Sequence, residues 1–299
     1  NGTQGNSITN MVENTFGISP YISGAVITIL TGLVILGGVK SIAKVCEKLV
    51  PFMAGFYIIG CIIILFLNGS YVLPALKLIV SSAFTPQAAG GGFVGSTVMM
   101  AIRFGIARGL FTNEAGLGSA PIVDAAAVTR NPVRQGLIAM TGVFWDTVIV
   151  CALTGLVLVS SILRNPDGMS GLSGGALSSA AFANIPVVGP IVLTVGLICF
   201  AWSTILGWSY YGERCWVYLC GQKAIMPFRI IYTLVVFVGS VMTLDAVWGI
   251  ADILNASMAF PNLVALLGLS GVIAAETKKY LFNNNMDAWS DDEIPVVDK

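Results

Sequence analysis

The sequence has little charge. Only 10% of its 299 residues are charged, 15 of each sign, whereas about 25% of the residues in an ordinary soluble domain are charged. So few charges could not keep the surface of one or two soluble domains hydrated. Because 56% of the residues are hydrophobic and the mean hydropathy is +0.86, the chain is predicted to fold in a lipid bilayer.

Histidine is absent, which excludes histidine-based catalysis, proton relay and metal ligation. The formal net charge is zero and no basic run occurs, so nucleic acid is not an expected partner. The six cysteines form no CxxC pair, and their spacing predicts neither a zinc site nor disulfides. No His-Glu-x-x-His site is present. The protein is therefore not expected to be an enzyme.

Apolar runs of roughly 20 residues, the length that crosses a bilayer, predict seven membrane segments. Lys40, Lys44 and Lys48 recur every four residues, which predicts a short interfacial helix between the first two segments. Residues 1–17 resemble the end of a helix whose beginning is missing, so the chain is expected to be a fragment. The predicted segments are roughly 20–38, 51–68, 92–127, 137–161, 187–212, 226–244 and 248–273.

Lysine and arginine concentrate in alternate loops. Eleven lie on the side that includes the C-terminus, whereas the opposite side has only Lys77 and Arg164. The positive-inside tendency therefore predicts a multi-pass protein of the cell (inner) membrane with a cytoplasmic C-terminus. The acidic end, 287–299, lacks apolar periodicity and is expected to be solvated and disordered.

The third segment is too long for one span, and the sequence RGLFTNEAGLG interrupts it at 108–118. Glycines there would let the helix unwind, and irregular backbone at membrane depth must line a cavity. The N-terminus of a half-helix attracts a carboxylate, and freed carbonyls bind a small cation. The alternative is a kinked helix held by a buried Arg108 to Glu114 ion pair. The residues of the predicted break are Arg108, Gly109, Asn113, Glu114, Gly116 and Gly118.

A second polar group lies in the fifth segment. The hydroxyls of Ser203 and Thr204 could bind sodium, a hard cation that prefers oxygen, and Trp208 one turn further on could form a pocket wall. Alternatively, such hydroxyls form hydrogen bonds with their own backbone or a neighbouring helix.

Other polar residues in apolar surroundings admit two interpretations. Asp146, Asp252 and Asn255 could be functional, or they could hold helices together through hydrogen bonds. Gln4 and Asn6 offer amides that suit an amino-acid ligand.

Four stretches carry a specific resemblance: GLFTNEAGLGSAP at 109–121, NPVRQG at 131–136, TGVFWDTVIVCALTGLVLV at 141–159 and STILGWSYYGE at 203–213. They resemble the alanine or glycine:cation symporter family, and the resemblance extends from the start of the chain to 259–272. It implies a leucine-transporter-type fold of two inverted five-helix repeats. It also implies inward transport of L-alanine, glycine or D-alanine with sodium.

The resemblance also implies an organisation of the chain. Residues 1–86 would hold the end of the first repeat, with a partial helix, two spans and interfacial helices. Residues 87–275 would be the second repeat, with its broken helix at 108–118, and residues 276–299 a cytoplasmic acidic tail. The opening helices of the first repeat, including a broken helix that supplies half of the binding sites, would be missing.

Site residues follow from the same resemblance. It implies that Gln4 contacts the amino or carboxylate group of the substrate and that Phe111 lines the pocket. Thr204 and Trp208 would shape the end that receives the side chain, and Ser203 and Thr204 would bind sodium. Arg108 and Glu114 would flank the break as structural or gating charges. Sodium would be the coupling ion, with no other cofactor.

The sequence thus predicts sodium-coupled symport of a small neutral amino acid, without covalent chemistry. Three alternatives stay open: a channel whose filter is the broken helix, an inactive truncated fragment, and an intramembrane enzyme. The enzyme is disfavoured because the chain lacks histidine and paired aspartates on adjoining helices.

Overall fold

A computed structural model describes residues 1–84, 114, 116–172, 174–186 and 188–290. Within those residues every regular element is helical, which confirms the predicted all-α class. The α-helices of this part are α1 (Gly2–Phe16), α2 (Pro20–Leu36), α3 (Val39–Leu67), α4 (Gly69–Phe84), α5 (Ala120–Asp124), α6 (Pro132–Val143), α7 (Ala152–Arg164), α8 (Pro166–Met169), α9 (Gly174–Phe182), α10 (Val188–Cys220), α11 (Ile225–Val241) and α12 (Leu244–Thr277).

Three shorter helical segments join or extend these helices. The π-helical segment Phe144–Cys151 connects α6 to α7 without a break, and a second one, Lys278–Phe282, extends α12. A 3₁₀ turn, Gln222–Ala224, precedes α11. Sequence patterns gave no signal for the π-helical segments, because an i→i+5 turn has the same composition as an α-helix.

Five helical stretches of the described chain are long and apolar enough to cross a membrane, and α2 is a shorter apolar helix of 17 residues. Large apolar side chains on α12, such as Leu254, Phe260 and Leu267, are exposed, as expected where hydrocarbon is the solvent. Of the predicted third segment, 92–127, only residues 114 and 116–127 are described. The five stretches are Val39–Leu67, Pro132–Arg164, Val188–Cys220, Gln222–Val241 and Leu244–Phe282.

The predicted interfacial helix between the first two segments is wrong as a separate element. Helix α3 runs from Val39 to Leu67 without interruption and carries Pro51 in its interior. A proline removes one backbone hydrogen bond, but apolar side chains on both sides of Pro51 pack in the core, Ile42 before it and Met53 after it. That packing keeps the helix continuous.

Helix α1 is central and packs against α2, α10 and α11. Ile8 of α1, Ile27 of α2, Ile205 of α10 and Val236 of α11 form one buried cluster. Close approach of α1 to α11 requires glycine, because a Cβ atom at Gly239 would overlap the backbone of Gly2. Small residues at such a contact let helix backbones pack tightly in the membrane.

Polar contacts lie at the two ends of the bundle. At one end Arg229 of α11 donates to Glu213 of α10 and to the carbonyl of Leu36. At the other end the fully buried Asn68 donates to Ser160 and Ser161, and its Oδ1 accepts from Arg164 at 2.8 Å. These contacts satisfy groups that would be costly to leave unpaired.

The start of the acidic end is ordered against α6, unlike the solvated tail expected from its composition. The Asn131 amide donates to the carbonyls of Met286 and Ala288 at 3.0 and 3.1 Å, and Ser290 N donates to the Arg130 carbonyl. Asp287 pairs with Arg130 and Arg134. Composition did not predict this ordered segment, because the residues that hold it are brought near it only by the fold. Residues 291–299 lie outside the described part.

Candidate functional site

The described end of the predicted helix break is a turn. Glu114 and Gly118 both have left-handed backbone angles, with φ of 56° and 75°, and the amides of Leu117 and Gly118 donate to the Glu114 carbonyl. Gly116 is buried within this turn, and α5 begins two residues after Gly118. Arg108, Gly109, Phe111 and Asn113 lie outside the described residues.

This turn, residues 114–118, lies between α10 and α12. The Glu114 carboxylate accepts from the Ser119 hydroxyl at 3.1 Å and forms hydrogen bonds with Tyr211 and Trp208 of α10. On the other side, a Cβ atom at Gly118 would come within 2.6 Å of Asn262 Oδ1. The structure thus brings Glu114 and Trp208 together, although they are far apart in sequence.

Trp208 and Tyr211 contact each other as well as the carboxylate. Their rings meet edge to face with centroids 5.6 Å apart. An indole N–H can only donate, and a phenol can donate, so both rings can turn a polar edge toward Glu114. This explains how a carboxylate is accommodated beside an apolar helix, a cost that is several kcal/mol when the charge is unpaired.

The hydroxyls of Ser203 and Thr204 both donate to the backbone carbonyl of Phe200, each at 2.9 Å. Both hydroxyl protons are therefore used in hydrogen bonds within α10, as in the alternative interpretation. Ser203 also lies 3.6 Å from the sulfur of Met53 on α3. A hydroxyl that has donated its proton still carries two lone pairs, so both oxygens can accept a ligand from a facing helix.

Gln4 is half-buried on α1 and accepts a hydrogen bond from the Thr3 hydroxyl at 2.7 Å. Helices α1 and α10 are antiparallel, with the hydroxyls of Thr15 and Thr194 3.0 Å apart. Gln4 lies as many residues before Thr15 as Ile205 lies after Thr194. With an equal rise per residue in both helices, Gln4 falls at the depth of Ile205, one residue from Thr204.

Asn6 is a structural residue. Its buried amide donates to the carbonyls of Gly239 and Met242 and accepts from Asn10. These bonds cap the end of α11, whose last carbonyls have no helical partner. Of the other polar candidates, Asp252 lies on the exposed side of α12 and Asn255 is half-buried.

A polar cavity of about 810 Å³ opens between α1, α9, α10 and the start of α12. It adjoins the C-terminal part of α1, one to three turns beyond Gln4. Sequence analysis missed it because its polar residues come from three separate helices. The polar side chains that line it are Ser7, Asn10, Asn14, Thr15, Ser179 and Thr194.

The described residues contain no group of three or more Cys, Asp or Glu side chains placed to hold a metal ion. All six cysteines fall in the described part and are free thiols. The polar groups near the helix turn are instead hydroxyls, amides and one carboxylate.

Comparison with known proteins identifies the family of this chain. The sequence profile of the sodium:alanine symporter family matches residues 1–293. The chain belongs to this family. It is also 49% identical over 280 residues to the sodium/alanine symporter AgcS of Methanococcus maripaludis, a match that covers 94% of this chain and 61% of AgcS.

Other relatives of this chain extend the comparison. An uncharacterised transporter of Haemophilus influenzae is 50% identical over 294 residues, covering 97% of this chain and 64% of the relative. The probable sodium/glutamine symporter GlnT of Bacillus subtilis is 34% identical over 282 residues, covering 94% and 58%. The chain thus spans about three fifths of the length of the curated relatives it matches. The names of these relatives describe transporters.

Proposed function

We propose that this protein is a secondary active transporter that couples inward sodium flow to uptake of a small neutral amino acid, alanine or glycine. The observation that carries the proposal is the turn at 114–118, which holds a carboxylate and left-handed backbone between two long apolar helices. Irregular backbone at membrane depth is tolerated where it lines a cavity. Broken helices of this kind bind substrates and ions in transporters with inverted repeats.

Family membership supports the same function. The relative AgcS is named a sodium/alanine symporter and shares about half of its aligned residues with this chain. Since GlnT is named for glutamine, membership alone leaves the substrate open, and our choice of a small amino acid rests on Trp208. Its bulky ring beside the break would leave room only for a small side chain.

The proposed fold is the leucine-transporter type, with the second repeat at 87–275. In this arrangement Gln4 on α1 and Thr204 on α10 lie close in depth on antiparallel helices. Gln4 would bind the amino or carboxylate group, while Phe111 and Trp208 would enclose the side chain. Ser203 and Thr204 would present their lone pairs to a sodium ion.

Coupling would come from binding both ligands to one arrangement of the helices. Sodium would stabilise that arrangement, the substrate would then bind more tightly, and by linkage the substrate would tighten sodium binding equally. Glu114, held by Ser119 and by the two aromatic side chains of α10, would fix the end of the break while the bundle rocks. The C-terminus would face the cytoplasm of the cell.

The test uses the full-length protein in proteoliposomes. An inward sodium gradient is expected to drive saturable accumulation of labelled alanine or glycine, and replacing sodium with choline is expected to abolish it. Uptake unaffected by choline would refute sodium coupling. A steady sodium conductance that does not require amino acid would instead identify a channel.

A further inference from the structure

Three lysines follow one another along the first part of α3, one at every turn. Lys40, Lys44 and Lys48 are all exposed, and none of them has an ion pair or a hydrogen bond with another side chain in the described part of the chain. Side chains four residues apart are neighbours on one face of a helix. The lysines therefore form a basic stripe, which Glu47, the only acidic residue of α3, does not neutralise.

The basic stripe lies at the end of the bundle where basic residues concentrate. A Cβ atom at Gly38, the residue before α3, would come within 3.2 Å of the Arg229 guanidinium. After Lys48, α3 has no charged residue up to its end at Leu67. That apolar stretch is about 28 Å long, close to the roughly 30 Å of the hydrocarbon layer. Lys48 therefore lies at the edge of the hydrocarbon, and Lys44 lies one turn further out, at the level of the lipid headgroups.

An open groove of about 490 Å³ runs along α3 beside two of these lysines. The Phe52 ring, which is 57% exposed, stacks on Phe56 with ring centroids 5.7 Å apart. The apolar floor of the groove thus continues from the lysines toward the hydrocarbon. Its lining residues are Lys44, Val45, Lys48, Leu49 and Phe52.

The chemistry of this groove selects its ligand. Lysine ammonium groups repel cations, and they bind phosphate as point charges with three donors each. Ammonium groups on successive turns can share one phosphate, while the apolar stems of the same lysines line the way to the hydrocarbon. A phosphate that carries an acyl chain uses both parts of the groove. A soluble anion would use only the lysines.

We propose that Lys44 and Lys48 bind the phosphate of an anionic phospholipid, whose acyl chain lies in the groove along Leu49 and Phe52. Lys40, one turn nearer the water, adds to the attraction. Basic clusters directly beside a membrane-spanning helix attract anionic lipids in this way. A zwitterionic lipid brings its own positive charge and gains less. The lipid site goes beyond the proposed transport function and does not depend on it.

The experiment measures how tightly the purified full-length protein retains phosphatidylglycerol, by native mass spectrometry from a neutral detergent. Phosphatidylglycerol is expected to bind more tightly than phosphatidylcholine, which has the same phosphate but no net charge. Lys44→Gln combined with Lys48→Gln is expected to weaken phosphatidylglycerol binding by about 25-fold, about fivefold for each lysine. Lys44→Arg combined with Lys48→Arg keeps both charges and is expected to retain the lipid.

Two controls separate the groove from its general surroundings. Lys223→Gln combined with Lys278→Gln removes two exposed charges at the same end of the bundle, away from the groove, and is expected to bind phosphatidylglycerol normally. Phe52→Ala changes no charge and is expected to weaken retention, because the acyl chain loses its aromatic contact.

Four results would overturn the lipid site. Equal losses in the two Lys→Gln double variants would show that net charge attracts the lipid without a site. Equal retention of phosphatidylcholine and phosphatidylglycerol would remove the charge selectivity. Displacement of the lipid by glycerol 3-phosphate would assign the lysines to a soluble anion. Full retention by Phe52→Ala would take the acyl chain out of the groove. Lipid binding is measured without uptake, so failure of the proposed transport would leave this result unchanged.

Discussion

The carboxylate of Glu213 on α10 accepts two hydrogen bonds from the guanidinium of Arg229 on α11, at 2.7 and 3.3 Å. Both side chains are largely buried, with 7% and 14% of their surfaces exposed. Arg229 also donates to the carbonyl of Leu36 at the end of α2. One ion pair therefore ties three helices together at the end where basic residues concentrate.

Glu213→Gln is expected to lower the free energy of unfolding by about 3 kcal/mol, because the Arg229 guanidinium would stay buried without a counter-charge. Thermal unfolding in detergent, followed by tryptophan fluorescence, measures the change. Arg214 also contacts Glu213 but is 43% exposed, so Arg214→Gln should cost about 0.5 kcal/mol. Equal losses from the two variants would mean that burial does not strengthen the Arg229 pair.

Gly239→Ala is expected to separate α1 from α11, since its Cβ atom would overlap the backbone of Gly2. We expect a loss of about 2 kcal/mol, as for other overpacked contacts. Gly249→Ala is the control, because nothing lies within 4 Å of a Cβ atom there, and alanine in that helix should be neutral or stabilising. The same unfolding assay compares them, and a stable Gly239→Ala protein would contradict the close contact.

Trp208→Ala is expected to admit larger amino acids, because it opens the proposed pocket beside the helix break. The measurement is competition by a series of amino acids of increasing size against labelled alanine. Trp208→Phe separates size from bonding, since it keeps a ring and removes the N–H that meets Glu114. It should keep rejecting large substrates. Rejection retained by Trp208→Ala would remove Trp208 from the pocket wall.

Removing both hydroxyls with Ser203→Ala and Thr204→Ala is expected to raise the sodium concentration required for uptake by about tenfold, as when a metal site loses part of its coordination. Ser209→Ala is the matched control on the same helix, because its hydroxyl also donates to a backbone carbonyl, that of Leu206. A sodium titration of uptake distinguishes them. If the double variant titrates like Ser209→Ala, the two hydroxyls serve the helix alone.

Asn131→Asp is expected to release residues 286–290 from α6. The substituted side chain can still accept from Arg134 N, as Asn131 does at the start of α6, but it can no longer donate to the carbonyls of Met286 and Ala288. Hydrogen exchange at the Ser290 amide, which donates to Arg130, should therefore become faster. Asp287→Asn, in a pair whose aspartate is 84% exposed, should change exchange little. Slow exchange in Asn131→Asp would show that other contacts hold the segment.

The membrane segments were predictable because hydropathy depends on residue type and local order alone. Helices α11 and α12 begin and end within a few residues of the predicted spans 226–244 and 248–273. Helix α10 continues to Cys220, eight residues beyond the predicted end of its span at 212. The continuity of α3 through Pro51 could not be predicted, because it depends on packing against other helices.

Sequence by itself determined the solvent, the helical class, the approximate spans and, through four specific stretches, the family. Tertiary structure decided which polar groups meet: Glu114 with Trp208, Glu213 with Arg229, and Tyr57 with Thr154. The physical reason is that hydrophobicity acts on each residue separately, whereas a hydrogen bond or an ion site needs atoms from distant parts of the chain within about 3 Å of each other.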